Sequence, residues 1–255
     1  MRATDPRPNQ LHFARRGRNG WITIDNPPYN NLVHPVFGDR EELIEFLNDP
    51  ELKWVIIKGS GRHFCAGAAV GKLSELAQQP QALQQALDLG KELLTIISQA
   101  PIPVAALILG SCLGGGLEIA LHCHFRFAGH NAMLGFPESD HGLMPGMGGT
   151  LLGRELLATG QLIDLILSGR LIRAEEAQEI GLVETIGPAK SIEEKLVGFL
   201  DRLTARHSAK LIRAVMTSIH NGRKLPIKEA LREETRLFCQ LAKDGIVLAT
   251  TKERP

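Results

Sequence analysis

Residues 104–118 constrain the fold of this chain more than any other stretch. The apolar run Val104-Ala105-Ala106-Leu107-Ile108-Leu109 enters Gly110-Ser111-Cys112-Leu113, then three consecutive glycines, Gly114, Gly115 and Gly116, and then Leu117-Glu118. Residues 104–117 fall short of the ~20 that a membrane span needs, and they are broken by glycine and closed by a glutamate. They read as a buried strand that turns through glycine into a helix carrying Leu117, Ile119, Ala120 and Leu121. The N–H groups of a helix's first turn lack intrahelical partners, and the helix dipole favours negative charge there, so strand, glycine turn and helix make an anion-receiving geometry. Three successive glycines cost backbone entropy. They imply a strained turn, close helix packing, or a ligand that must approach the backbone.

The flanking sequence repeats the alternation. Residues 20–25 form an early strand closed by Asn26-Pro27-Pro28, and Phe37, Leu43, Ile44 and Leu47 recur at helical intervals between residues 34 and 48. Residues 54–58 (WVIIK) read as a strand buried on both faces. An amphipathic helix carries Leu83, Ala86, Leu87, Gly90, Leu93, Leu94 and Ile97 and is terminated by Pro101 and Pro103. A short strand at 125–128 and a helix at 150–158 follow. Residues 191–194 (Ser-Ile-Glu-Glu) read as a capping box opening a helix to about residue 205, with further helices at 208–220 and 227–242. The expected class is α/β, with a core over residues 1–190 and a helical segment over 191–255.

Composition narrows the partners. With 44% hydrophobic residues, 22% charged residues and a net charge of +1 over 255 residues, no field draws the chain to nucleic acid or an anionic membrane. The N-terminus is basic but lacks the apolar centre of a signal peptide, and Cys65, Cys112, Cys123 and Cys239 show no CxxC spacing. A reducing cytoplasm, no structural zinc and no disulfide frame are the expectations.

Three segments can carry chemistry. His63-Phe64-Cys65-Ala66-Gly67-Ala68-Ala69 follows a buried strand, and its small residues let a ligand oxygen reach backbone N–H groups, although a tight packing loop would look the same. Gly114-Gly115-Gly116-Leu117-Glu118 opens a helix. Phe136-Pro137-Glu138 precedes Gly142-Leu143-Met144-Pro145-Gly146-Met147-Gly148-Gly149-Thr150, where a turn glutamate on its own reads as solvated.

Together, in this order and with Glu138 lying 20 positions after Glu118, the segments resemble the signature of the enoyl-CoA hydratase/isomerase (crotonase) family. Leu167-Ser168-Gly169-Arg170, Ala174-Glu175-Glu176-Ala177 and Gly181-Leu182-Val183 are similar to the stretch that follows in that family. The resemblance runs over residues 21–186 and weakens in the helical tail. It implies a spiral of β-β-α turns, a C-terminal helical region for trimerisation or as a lid, and a homotrimer or homohexamer. The implied ligand is an acyl-CoA, with coenzyme A entering as part of the substrate and no other cofactor or metal. By motif match, Ala68 and Gly115 would present the two N–H groups that hold the thioester oxygen, within loops that include Ala66, Gly67 and Gly114. Glu118 would handle the water and Glu138 the proton at Cα. Retention of both acids favours hydration over isomerisation or decarboxylation of an acyl thioester, and over an inactive scaffold.

Some positions depart from the family pattern. Ala69 stands where aspartate is common, His124 replaces an aspartate, and Leu151-Leu152 replaces a polar pair. These changes are expected to make the first loop and the third segment more apolar, and so to alter the acyl pocket and its substrate. His122-Cys123-His124 is a poor metal set, because adjacent helical residues project in different directions. Asp140 and His141 read as solvated loop residues, with His141 a candidate neighbour of the pocket.

Overall fold

In the computed structural model, which describes residues 10–243, the chain winds as a spiral whose turns each lay a strand in a large sheet, and two of them go on to a short strand in a smaller one. β1 (Leu11–Arg16) and β2 (Asn19–Ile24) pair antiparallel. From β2 the large sheet is parallel, through β3 (Trp54–Gly59), β4 (Val104–Ile108), β6 (Phe125–Gly129) and β9 (Thr185–Gly187). The smaller sheet holds β5 (Ser111–Leu113), β7 (Met133–Gly135) and β8 (Leu171–Arg173), in that order. A chain leaving β4 or β6 thus crosses to β5 or β7 before the next helical element.

Helices fill the returns. α1 (Arg40–Asn48) starts at Asp39, whose side chain accepts from the Glu42 N–H. Residues 34–39, expected to join that helix, stay irregular, because the aspartate cap fixes the start. α2 (Val70–Ala77) and α3 (Pro80–Ser98) precede β4, and α4 (Gly115–His122) follows β5. A five-residue 3₁₀ turn (Pro137–His141) follows β7, then α5 (Gly149–Leu156), α6 (Thr159–Leu167) and α7 (Ala174–Glu179).

The side chains of β3 and β4 alternate between two cores, as the two-residue strand period requires. Val55, Ile57, Val104, Ala106 and Ile108 face the main core with α1, α3 and α4, whereas Trp54, Ile56, Ala105 and Leu107 face the opposite layer. That second layer is completed by α8 (Ile192–Thr204), whose Ile192, Leu196 and Leu200 are fully buried. α9 (Ala209–Lys224) adds Ile212 and Met216 to the main core, while α10 (Ile227–Lys243) buries only Ala230. The capping box expected at Ser191 does not form. The Ser191 hydroxyl contacts the Pro188 carbonyl at 3.4 Å, leaving the helix without a side-chain cap. Expectations for residues 1–9 and 244–255 lie outside the described residues.

Candidate active site

The turns after β3 and after β4 are stitched together. Cys65 N–H donates to the Ser111 carbonyl and Leu113 N–H to the Cys65 carbonyl, both at 3.0 Å, which sets Cys65 beside Cys112 as an extension of β5. Gly67, at φ +85°, presses on the second turn, where a Cβ would sit 2.8 Å from the Leu113 carbonyl oxygen. In the first loop, Ala66 N–H donates to Tyr29 and Ala69 N–H donates to Leu32. The Ala68 N–H between them, and the Gly115 N–H at the start of α4, find no acceptor among the described residues. Two free donors therefore stand on adjoining turns.

Both turns open on a cleft of about 720 Å³. All seven candidate residues line it: Ala66, Gly67, Ala68, Gly114, Gly115, Glu118 and Glu138. Its walls are otherwise largely apolar, with Leu73 and Leu76 of α2, Leu83 and Leu87 of α3, and Met144 and Met147 of the glycine-rich turn. α2 buries no side chain in the protein core, so its leucines are left for the cleft.

Glu118 lies in the first turn of α4 and is only 2% exposed. Its Oε1 accepts the Met147 N–H at 2.6 Å and the Gly149 N–H at 2.8 Å. Burial pushes its pKa up, while these N–H groups and the charge of Lys91 pull it down. Glu138 sits on the 3₁₀ turn, half-buried, and its Oε2 has no hydrogen-bond partner among the described residues. Burial, and then the neighbouring charge of Glu118, raise it to about 7 against the pull of its own backbone N–H. Gly114, at φ +50°, leaves room for the Glu138 carboxyl: a Cβ there would lie 2.6 Å from Glu138 Oε1. One carboxyl held by donors and another kept near its neutral form, beside two unpaired N–H groups, can move a proton in each direction and stabilise a developing oxyanion.

The donors Met147 and Gly149 escaped sequence reasoning, since backbone groups carry no residue type; the glycines of residues 142–149 were the only signal. His141 lines the cleft. Asp140 instead lies against Gly169, whose added Cβ would be 2.8 Å from Oδ1. The expectation that Ala69, His124 and Leu151-Leu152 reshape the pocket is corrected, because none of them lines the cleft. Ala69 caps α2, and Leu151 points outward with 66% of its surface exposed. His124 accepts the Val104 N–H at Nδ1 and stacks on His220 of α9, at the far end of α4.

A family model described as enoyl-CoA hydratase/isomerase matches residues 20–246. The chain is 32% identical over 248 residues to a probable enoyl-CoA hydratase of Bacillus subtilis, covering 92% of this chain and 93% of that protein. It is 36% identical over 176 residues to the peroxisomal bifunctional enzyme of Cavia porcellus, a match that takes in 69% of this chain and 24% of the longer protein. A crystal structure of an enoyl-CoA hydratase from Bacillus anthracis superposes with a TM-score of 0.80 at 28% identity, over 92% of this chain and 91% of that one.

Proposed function

Since this chain belongs to the enoyl-CoA hydratase/isomerase family, we propose that it adds water across the 2,3 double bond of an enoyl-CoA thioester. The observation that carries this reading is the pair of glutamates fronting one cleft beside two unpaired N–H donors. The thioester oxygen accepts from the Ala68 and Gly115 N–H groups, which stabilise the enolate-like charge as it develops. Glu118 takes a proton from the water as its oxygen bonds to Cβ, and Glu138 delivers its own proton to Cα. Two carboxyl groups then exchange protons with solvent to return to their starting states. A raised Glu138 suits the donor role, because the acid must be protonated near neutrality.

No metal or cofactor enters this scheme beyond the coenzyme A carried by the substrate, so a chelator is expected to leave the rate unchanged. Val215 and Ile219 of α9, with Ile227, Leu231 and Phe238 of α10, are exposed apolar side chains that support a homotrimer or homohexamer, which sedimentation velocity distinguishes from a monomer. Among the described residues no helix is long and apolar enough to cross a membrane. We place the enzyme in the cytoplasm, in line with four cysteines that show no CxxC spacing.

The test is loss of the conjugated-thioester absorbance of crotonyl-CoA and of longer 2-enoyl-CoAs. A wild type inert on every chain length, or Glu118→Gln and Glu138→Gln variants as fast as wild type, would sink the hydratase reading. Isomerase or decarboxylase chemistry would instead appear as a shifted double bond or released carbon dioxide with other acyl thioesters.

A further inference from the structure

His122 ends α4 one helical turn after Glu118 and is 9% exposed. Its Nδ1 lies 2.8 Å from the Glu118 carbonyl oxygen. A carbonyl only accepts, so Nδ1 carries the proton and the ring is fixed in one tautomer and one plane. Burial pushes the ring's pKa down, against the pull of that carbonyl, so the ring stands neutral at physiological pH.

The fixed ring meets the turn that holds Glu118. Gly148 adopts φ +113° and caps α5, and a Cβ on it would stand 3.0 Å from His122 Cε1. Gly148 is also the residue between Met147 and Gly149, the two N–H donors to Glu118 Oε1. Phe136 also packs on this turn, its ring 2.8 Å from where a Cβ on Gly149 would sit. Gly148 and Gly149 have no side chains with which to hold their place, so the imidazole and the phenyl ring pack directly against their backbone.

We propose that His122 is a positioning residue: its ring buttresses Gly148, so that the flanking N–H groups of Met147 and Gly149 stay aimed at the Glu118 carboxylate. The inference rests on Glu118 being the group that handles the water. His122 touches neither substrate nor reacting atoms; it acts through the turn.

Two readouts separate this inference from the reaction on which it rests. The first is titration of Glu118 by carbon-13 NMR of glutamate-labelled protein, assigned by loss of its signal in Glu118→Gln; it needs no turnover. The second is kcat and KM on an enoyl-CoA. In His122→Ala the two N–H donors drift, so the Glu118 titration moves to higher pH, and kcat falls about tenfold or more with KM within about twofold. His122→Phe restores a flat ring against Gly148 and recovers most of both. Should His122→Ala fail to fold, His122→Leu fills the space without a planar ring and shows the same upward shift. An unchanged Glu118 titration in the ring-less variant overturns the proposal, as does His122→Phe proving as impaired as His122→Ala. A wild type inert on enoyl-CoAs with the titration shift intact would instead overturn hydration and leave the buttress standing.

Discussion

Glu118 and Glu138 are the same residue type in the same cleft, and their surroundings give them opposite characters. Glu118 is carried on a helix, almost fully buried, with one oxygen held by two backbone donors. Glu138 rides on a short 3₁₀ turn, half-buried, with one oxygen facing no partner among the described residues. Burial raises both; at Glu118 the N–H groups of Met147 and Gly149 oppose it, whereas at Glu138 only its own backbone N–H does and the charge of Glu118 adds to the rise. The difference teaches that the protonation of a carboxyl is set by its burial and by which backbone groups it can reach. Residue type alone does not decide it.

The largest expected effect comes from erasing the difference. Glu118→Gln and Glu138→Gln each lower kcat on an enoyl-CoA by about 10²–10⁴, the range for loss of a positioned acid or base. Equal residual rates in the two single variants and the double variant would show that the carboxyls act as one unit. Next is Gly114→Ala, whose Cβ must displace the Glu138 carboxyl from 2.6 Å and strain a backbone at φ +50°. Its kcat drops about 10²-fold, while circular dichroism remains native.

The raised value of Glu138 also has a thermodynamic signature. The native state holds this proton more tightly than the unfolded chain, so the favourable contribution is complete below 4.5 and is lost as pH rises through about 7. The melting temperature of wild type is therefore expected to fall relative to that of Glu138→Gln between those values, and a constant gap would contradict the burial argument. On the proposed role of Glu138, activity loses its acid as pH rises through about 7. The smallest effect is at Lys91, whose charge lowers Glu118 from a half-exposed position beside Asp88. Lys91→Gln moves the acidic limb of the kcat/KM profile slightly upward, by about twofold in rate at low pH, and added salt mutes it in wild type.

Much of this was legible in the sequence, because the chemistry lies in contiguous motifs. Ala68, Gly115, Glu118 and Glu138 sit where small residues, glycines and isolated acids break the apolar pattern, and the long strands and helices announce themselves by period. Short elements do not. β5 and β7 have three residues each and are defined by pairing with one another, and α2 buries nothing in the core, so neither periodicity nor apolar content marks them. The strand β1 was hidden by its exposed charges, Arg15 and Arg16, on a sheet edge. The clamp on Glu118 is made of main-chain N–H groups, which any residue but proline supplies. His124 and Leu151 misled because neighbourhood in sequence was taken for neighbourhood in space. His124 lies past the end of α4, six residues beyond Glu118, and so meets His220 rather than the pocket.

The ladder that joins Cys65 to Ser111 and Leu113 ties the turns that carry Ala68 and Gly115 to one another, although some fifty residues of chain lie between them. Their spacing is consequently a property of the small sheet, inherited as a block. The two turns form a single rigid jaw, and a swap that transplants one of them from a relative without its partner would carry the motif and leave behind the spacing.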